Sequence, residues 1–311
     1  MRLLVTGVSG LLGVNLAWEA LLAGHSVIGT ARARALQGAP FPVITADLTD
    51  PAALDMVWQQ ARPEAVIHTA ALANLEACEE RPDLAQRLNA EVPGIIAARA
   101  RRAGVPLVHI STDAVFDGLN GDYTEDDTPR PLSTYARTKL AGERAVAAAY
   151  PQALIARVNF FGWSLSGRRS LAEWFLHNLQ NNQPMNGFTD VFFCPLLANH
   201  LARLLLEALT RGLSGLYHFT GSTCVSKYAF GVALAKQFGY DAARIHPTSV
   251  EAAELTARRA HHLTLRNDKL TAALGHALPG WEEGLAEFHA QARRGYPQQL
   301  RGWALKNPLP Q

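Results

Sequence analysis

Leu3-Leu4-Val5-Thr6-Gly7-Val8-Ser9-Gly10-Leu11-Leu12-Gly13 is the stretch that decides the fold. A short buried strand runs into three glycines spaced three apart. An amphipathic helix follows, with Leu12, Leu16, Ala20 and Ala23 on one side, and Gly24 closes it. That order is where a dinucleotide pyrophosphate binds. Gly7 permits the tight turn, Gly10 lets the backbone approach the phosphates, and Gly13 lets helix and strand pack closely. The helix N-terminus then stabilises the negative charge.

Outward from this stretch the pattern alternates. Ser26 to Thr30 and Pro42 to Thr45 read as strands, Pro51 to Arg62 as a helix, and Ala65 to Thr69 as a fourth strand. A helical Ala/Arg-rich stretch spans about Pro82 to Ala103, and the strand Leu107 to Ile110 comes next. Gly118 to Pro131 reads as an exposed loop, a helix begins near Ser133, and Ala153 to Arg157 is the sixth strand. Strands alternating with helices predict an α/β, Rossmann-type, doubly wound parallel sheet. After Asn159 the pattern loosens. Leu197 to Leu209 reverts to an apolar helix and Gly215 to Phe219 to a strand. The expected division is a nucleotide-binding domain over residues 1–158 with a return segment of about 189–222. Residues 159–188 and 223–311 form a smaller, mostly helical substrate lobe.

The 311 residues are 48% hydrophobic, ample for a large core. Their 29 basic and 27 acidic side chains interleave to a net charge of +2, so no footprint for nucleic acid is read. Cys78, Cys194 and Cys224 lie far apart and read as reduced, buried thiols. Met1-Arg2 passes directly into the first strand without a signal peptide, and no apolar run reaches the ~18 residues a membrane span requires. The expectation is a cytoplasmic protein.

Chemistry is carried by Tyr135-Ala136-Arg137-Thr138-Lys139, with Ser111-Thr112-Asp113 upstream. On a helix, four-residue spacing stacks phenol and ammonium on one face. A free tyrosine titrates near ~10, and a neighbouring cation lowers that by ~1–3 units. A phenol so tuned can protonate the oxygen of a carbonyl as it is reduced. At the end of the second strand, an NAD-selective site would place a carboxylate. Thr30-Ala31-Arg32-Ala33-Arg34 instead offers two guanidiniums for a 2′-phosphate, which points to NADP(H), with Arg32 the nearer.

The spaced set Gly7, Gly10, Gly13, Asp47-Leu48, Ala70-Ala71, Asn89, Thr112, Tyr135 and Lys139 resembles the extended short-chain dehydrogenase/reductases. Within them, Ser111-Thr112-Asp113-Ala114-Val115-Phe116-Asp117-Gly118 is similar to the dTDP-4-dehydrorhamnose reductase family, as is Tyr135 through Glu143. Ala257-Arg258-Arg259, with Leu263 and Leu265, is similar to that family's late substrate-lobe motif. The resemblance implies that Ser9, Leu11 and Leu12 join the glycines at the cofactor. Asp47 and Leu48 would border the adenine, and Ala70-Ala71 would line the path to the nicotinamide. It implies that Thr112 donates to the substrate carbonyl and Tyr135 delivers the proton. Lys139 would bind the nicotinamide ribose and lower the Tyr135 pKa. Asp113, Asn159, Trp163 and Arg259 would face the substrate, and Asn89 would either order the catalytic helix through hydrogen bonds or touch the ligand. The implied partner is a nucleotide-linked 4-keto sugar, with a homodimer left open.

Two departures shape this reading. Ala114 stands where the family has an aromatic residue and where nucleotide-sugar dehydratases have glutamate, so alanine leaves water elimination without its acid–base partner. Asn159-Phe160-Phe161-Gly162-Trp163 also departs from the family's usual tryptophan placement, which implies a changed substrate. Arg168-Arg169 can meet a diphosphate or stay solvated. The adjacent His261-His262 make no metal set. Ala31 to Arg34, Tyr217 to Gly221 and Ser226-Lys227-Tyr228 are also similar to the regulatory beta subunit of methionine adenosyltransferase. That resemblance implies a cofactor-binding protein without turnover, whereas an NAD-retaining epimerase would want a carboxylate near residue 31.

Overall fold

The computed structural model describes residues 1–32, 36–253 and 260–304. Seven strands form the main sheet, which is parallel throughout: β1 (Arg2–Thr6), β2 (Ser26–Ala31), β3 (Val43–Thr45), β4 (Ala65–His68), β5 (Leu107–Thr112), β6 (Leu154–Val158) and Gly215–Phe219. Its helices are α1 (Leu11–Leu22), α2 (Pro51–Ala61), α3 (Leu75–Glu80), α4 (Pro82–Gln86), α5 (Val92–Ala103) and α6 (Thr134–Ala149). Beyond β6 come β7 (Phe160–Phe161), α7 (Leu171–Gln180), β8 (Met185–Phe188), β9 (Phe192–Phe193), β10 (Leu196–Leu197) and α8 (Ala198–Thr210). Gly215–Phe219 is β11, followed by β12 (Val225–Ser226), α9 (Lys227–Phe238), β13 (Ile245–Thr248) and β14 (His262–Leu263). The chain then turns through α10 (Asp268–Leu274), α11 (Trp281–Arg293) and α12 (Tyr296–Trp303).

The sheet order is β11-β6-β5-β4-β1-β2-β3. The chain winds outward in one direction from β1 and in the other from β4. The crevice between the ends of those two strands is therefore the switch point where ligands of such sheets bind. Every residue of β5 and β6 is buried, as expected of strands covered on both faces. Leu3, Val5, Ile67 and Val108 face the core under α1 and α8, while Leu4, Val66, Leu107 and Ile155 face the core under α2, α5 and α6.

The helix expected over Pro82 to Ala103 is one path with a break. A π-helical turn occupies Arg87–Glu91 immediately before Pro93 in the first turn of α5. Proline has no N–H to give and crowds the preceding turn, so the backbone widens there. A Cβ on Gly142 would lie 2.1 Å from the Asn89 carbonyl oxygen, so α6 rests directly on this turn. The smaller lobe is mostly helical but also holds strands that lacked a sequence signature. Of these, β9 pairs with β12 and β14, and β8 pairs with β13.

The cysteine reading requires correction. Cys194 and Cys224 form a disulfide with a Cα–Cα distance of 4.0 Å, and only Cys78 is a free buried thiol. The antiparallel pairing of β9 with β12 brings together two cysteines 30 residues apart, which spacing alone does not reveal. No helix among the described residues is long and apolar enough to cross a membrane.

Candidate active site

Gly7 leaves β1 with φ +73°, a left-handed conformation that favours glycine, and the Gly10 N–H donates to its carbonyl at 2.8 Å. A Cβ on Gly13 would sit 2.3 Å from that carbonyl oxygen, and one on Gly7 would sit 2.8 Å from the Ala70 Cα. The turn, α1 and the end of β4 thus meet at a spacing that excludes side chains, leaving backbone open for a pyrophosphate at a helix N-terminus. Gly10, Leu11, Leu12, Gly13 and Ala71 line a cavity of about 520 Å³, and Ser9 is partly buried in the turn beside it.

Arg32 follows β2 and is exposed, and Asp47 follows β3. The Thr49 hydroxyl and amide bond Asp47 at 2.7 and 2.9 Å, holding its carboxyl below the usual range, with Arg32 and Arg87 adding to the effect. Leu48 is buried with Leu54 and Val57, so its side chain packs in the core. Arg34 and the Ala257-Arg258-Arg259 segment lie outside the described residues.

At the other end of the cavity, Ser133 caps α6 by accepting from the Ala136 N–H at 3.2 Å. Glu79 of α3 accepts from the Thr134 amide and hydroxyl at 2.7 and 2.5 Å, fixing the first turn. Tyr135 and Lys139 then reach the cavity from one helical face, and Thr112 reaches it from the end of β5. The Thr112 hydroxyl donates to Asp113 Oδ1 at 3.0 Å and lies close enough to the Tyr135 phenol to act on it. Asn159 donates to the other Asp113 oxygen. Asn89 bonds Leu72 and donates to the Thr138 hydroxyl at 3.1 Å, tying α6 to the segment after β4.

The electrostatics differ from the expectation at Tyr135. Burial pushes the phenol up to about 12, with the Asp113 charge adding and the Thr112 hydroxyl opposing. The Lys139 ammonium, expected to lower it, instead donates to the Ile110 carbonyl at 2.6 Å. Burial lowers Lys139 itself to about 8, against the pull of Glu143. Burial also raises Asp113 to about 6. In this enclosed setting desolvation outweighs the neighbouring cation.

Three placements complete the cavity. Lys227, at the start of α9, lines it, and its charge acts on Asp113. Sequence reasoning did not assign Lys227 to the site, although Ser226-Lys227-Tyr228 stood out as a segment. Arg169 lines the cavity and Arg168 does not. Ala114 lines it as a methyl group. Trp163, expected at the substrate, is a correction. Its indole stacks on Phe288 at 3.9 Å and donates to the Phe288 carbonyl, because the chain after β7 turns into the core.

The model of the RmlD substrate binding domain matches residues 1–294. The chain is 31% identical over 294 residues to a probable low-salt glycan biosynthesis reductase of Haloferax volcanii, covering 93% of this chain and 98% of that protein. It is 30% identical over 299 residues to a dTDP-4-dehydrorhamnose reductase of Burkholderia thailandensis, covering 90% and 95%. Methionine adenosyltransferase 2 subunit beta of Xenopus laevis is 30% identical over 266 residues, covering 83% and 78%. The crystal structure of a dTDP-4-dehydrorhamnose reductase from Clostridium acetobutylicum superposes with a TM-score of 0.80 at 28% identity, covering 94% of this chain and all of that one. A glycine cradle, a hydroxyl–phenol–ammonium set and this breadth of likeness converge, and with them goes NAD(P)-dependent chemistry at CH–OH and C=O groups. The chain belongs to the dTDP-4-dehydrorhamnose reductase family.

Proposed function

We propose that the protein reduces the 4-keto group of a nucleotide-linked sugar using NADPH. The observation that carries this reading is one cavity running from the glycine turn to Thr112, Tyr135 and Lys139. Bound NADPH supplies the hydride. Thr112 holds the substrate oxygen, Tyr135 protonates it as negative charge develops, and Lys139 grips the ribose beside them. A phenol that keeps its proton to about 12 is stocked to act as the acid at neutral pH. Arg32, with no carboxylate at the end of β2, supports NADP over NAD. Residues 1–158 with the returning α8 and β11 would hold the cofactor, and the remainder with Asp113, Asn159, Arg169 and Lys227 would face the sugar nucleotide. The methyl group of Ala114 leaves room where a ring would stand, which supports a substrate other than the family's usual sugar.

The test is loss of reduced-nicotinamide absorbance with a panel of keto sugar nucleotides. Tyr135→Phe is expected to lower kcat by ~10³-fold while NADPH still binds. A panel without turnover sinks the reading. Likeness to the methionine adenosyltransferase beta subunit favours one alternative, a cofactor-binding regulatory role. Co-elution with the synthetase and no turnover would establish that alternative instead.

A further inference from the structure

Beneath the cavity lies a buried ionic cluster that the reaction itself does not use. Glu143 sits on α6 four residues after Lys139 and eight after Tyr135, on the same helical face. Its Oε1 accepts from the Ser111 hydroxyl at 2.5 Å and from Arg157 Nε at 2.9 Å, and its Oε2 accepts from Arg157 Nη2 at 2.8 Å. Ser111, Arg157 and His218 stand in register across β5, β6 and β11, so one carboxylate on the helix engages a row across neighbouring strands. Arg157 also lies over the Phe116 ring at 5.0 Å. Ser111, Glu143 and Arg157 are 2%, 6% and 2% exposed.

Glu143 and Arg157 do not line the cavity, whereas Ser111 does. Ser111 is the residue immediately before Thr112, and Ile110, which receives the Lys139 ammonium, is the one before that. Two consecutive residues of β5 are therefore tied to α6 directly below the reacting hydroxyl. A buried bidentate ion pair resists rotation and sliding in a way an apolar contact would not.

We propose that Glu143 is a positioning residue for the carbonyl reduction proposed above, its bonds to Ser111 and Arg157 fixing the Thr112 hydroxyl relative to the Tyr135 phenol. Its charge also supports the Lys139 ammonium across a wall that offers little other compensation. His68 on β4 and His109 on β5 face Lys139 and are both uncharged, since burial lowers His68 to about 3 and His109 well below its ordinary value. Burial lowers His218 on β11 to about 4. Cys78 on α3 is pushed up to about 11, so it too is neutral, and Asp113 after β5 titrates near 6. The Arg157 guanidinium on β6 is the cation that Glu143 balances.

Two variants separate the tie from the charge. Ser111→Ala keeps the ion pair and removes the bond to β5. It is expected to lower kcat by about 10- to 100-fold with NADPH affinity unchanged, as a small misplacement of reacting groups does. Glu143→Gln keeps an acceptor for Ser111 and removes the charge. It is expected to move the alkaline limb of the kcat/KM profile to lower pH, because Lys139 loses its proton more readily, and Glu143→Asp should restore the limb. If Glu143→Gln does not fold, Ser111→Ala decides the matter through its kcat at an unchanged KM for the sugar nucleotide, because Ser111 also lines the cavity. Wild-type turnover with unaltered kcat in Ser111→Ala overturns the positioning role, an unmoved limb in a folded Glu143→Gln overturns the charge role, and either result leaves the reductase reading intact. A wild-type protein without turnover overturns both.

Discussion

The two ends of the cavity are built on opposite principles. At the glycine end, function comes from missing atoms: three residues without Cβ let β1, α1 and the end of β4 approach closely, and the ligand meets backbone. At the catalytic end it comes from buried ionisable atoms. Asp113, Lys139, Glu143, Arg157, His68, His109 and His218 are all enclosed within a few strands of one another. The first end is fixed chiefly by shape. The second is fixed by charge, and its stability depends on which groups hold protons.

Acid is the strongest way to pull the two apart. His68, His109 and His218 bind protons less readily in the fold than their ordinary value of 6.5. Their contribution is present above that pH and is lost as pH falls, each at about 1.4 kcal/mol per pH unit. Asp113, raised to about 6, takes its proton earlier in the fold and offsets one histidine, and Glu19, also raised by burial, trims the loss further. Between about pH 6 and 4.5 the net loss is therefore about 2–3 kcal/mol per unit. Urea midpoints measured across this range should fall steeply. A flat midpoint would mean that the imidazoles gain protons without disturbing the sheet, and the contrast between the ends would collapse.

Steric tests probe the other end. Gly13→Ala places a methyl group 2.3 Å from a backbone oxygen that has no flexible end to move aside. It should cost about 1–3 kcal/mol of stability by overpacking and weaken NADPH binding as the turn shifts. At Gly10 the nearest atom to an added Cβ is the same oxygen at 3.1 Å, so Gly10→Ala should unfold nearly as wild type and show its effect in cofactor affinity. Equal melting temperatures for the two variants would show that the turn is softer than its geometry implies.

What the sequence made legible follows the same division. Glycine spacing and the Tyr135–Lys139 interval are local, and local geometry is written in residue order. The parallel sheet was legible for the same reason, as each strand and its helix announce themselves in turn. What remained hidden depends on long-range approach. The Cys194–Cys224 bond needs β9 beside β12, Lys227 needs α9 brought to Asp113, and Trp163 is claimed by Phe288, 125 residues on. The shift at Tyr135 went the other way because helical spacing shows which cation is near but not how much water is excluded. Glu143 was visible as part of the motif, yet its partners on β5 and β6 were not.

The smallest expected effect tests whether the glycine end is free of charge dependence at all. Arg32 is the one residue assigned to the cofactor there whose role is electrostatic, and it stands exposed at the end of β2, where solvent and salt screen it. Asp47 lies close enough to feel it, so part of its charge is already answered. Arg32→Ala should raise the KM for NADPH by about tenfold, below the full worth of a charge-assisted bond to phosphate, and leave the KM for NADH unchanged. The effect should shrink as salt rises, whereas that of Gly13→Ala should not. Equal losses for the two cofactors would mean that Arg32 shapes the turn and does not read the 2′-phosphate. Recognition at this end would then rest on backbone alone.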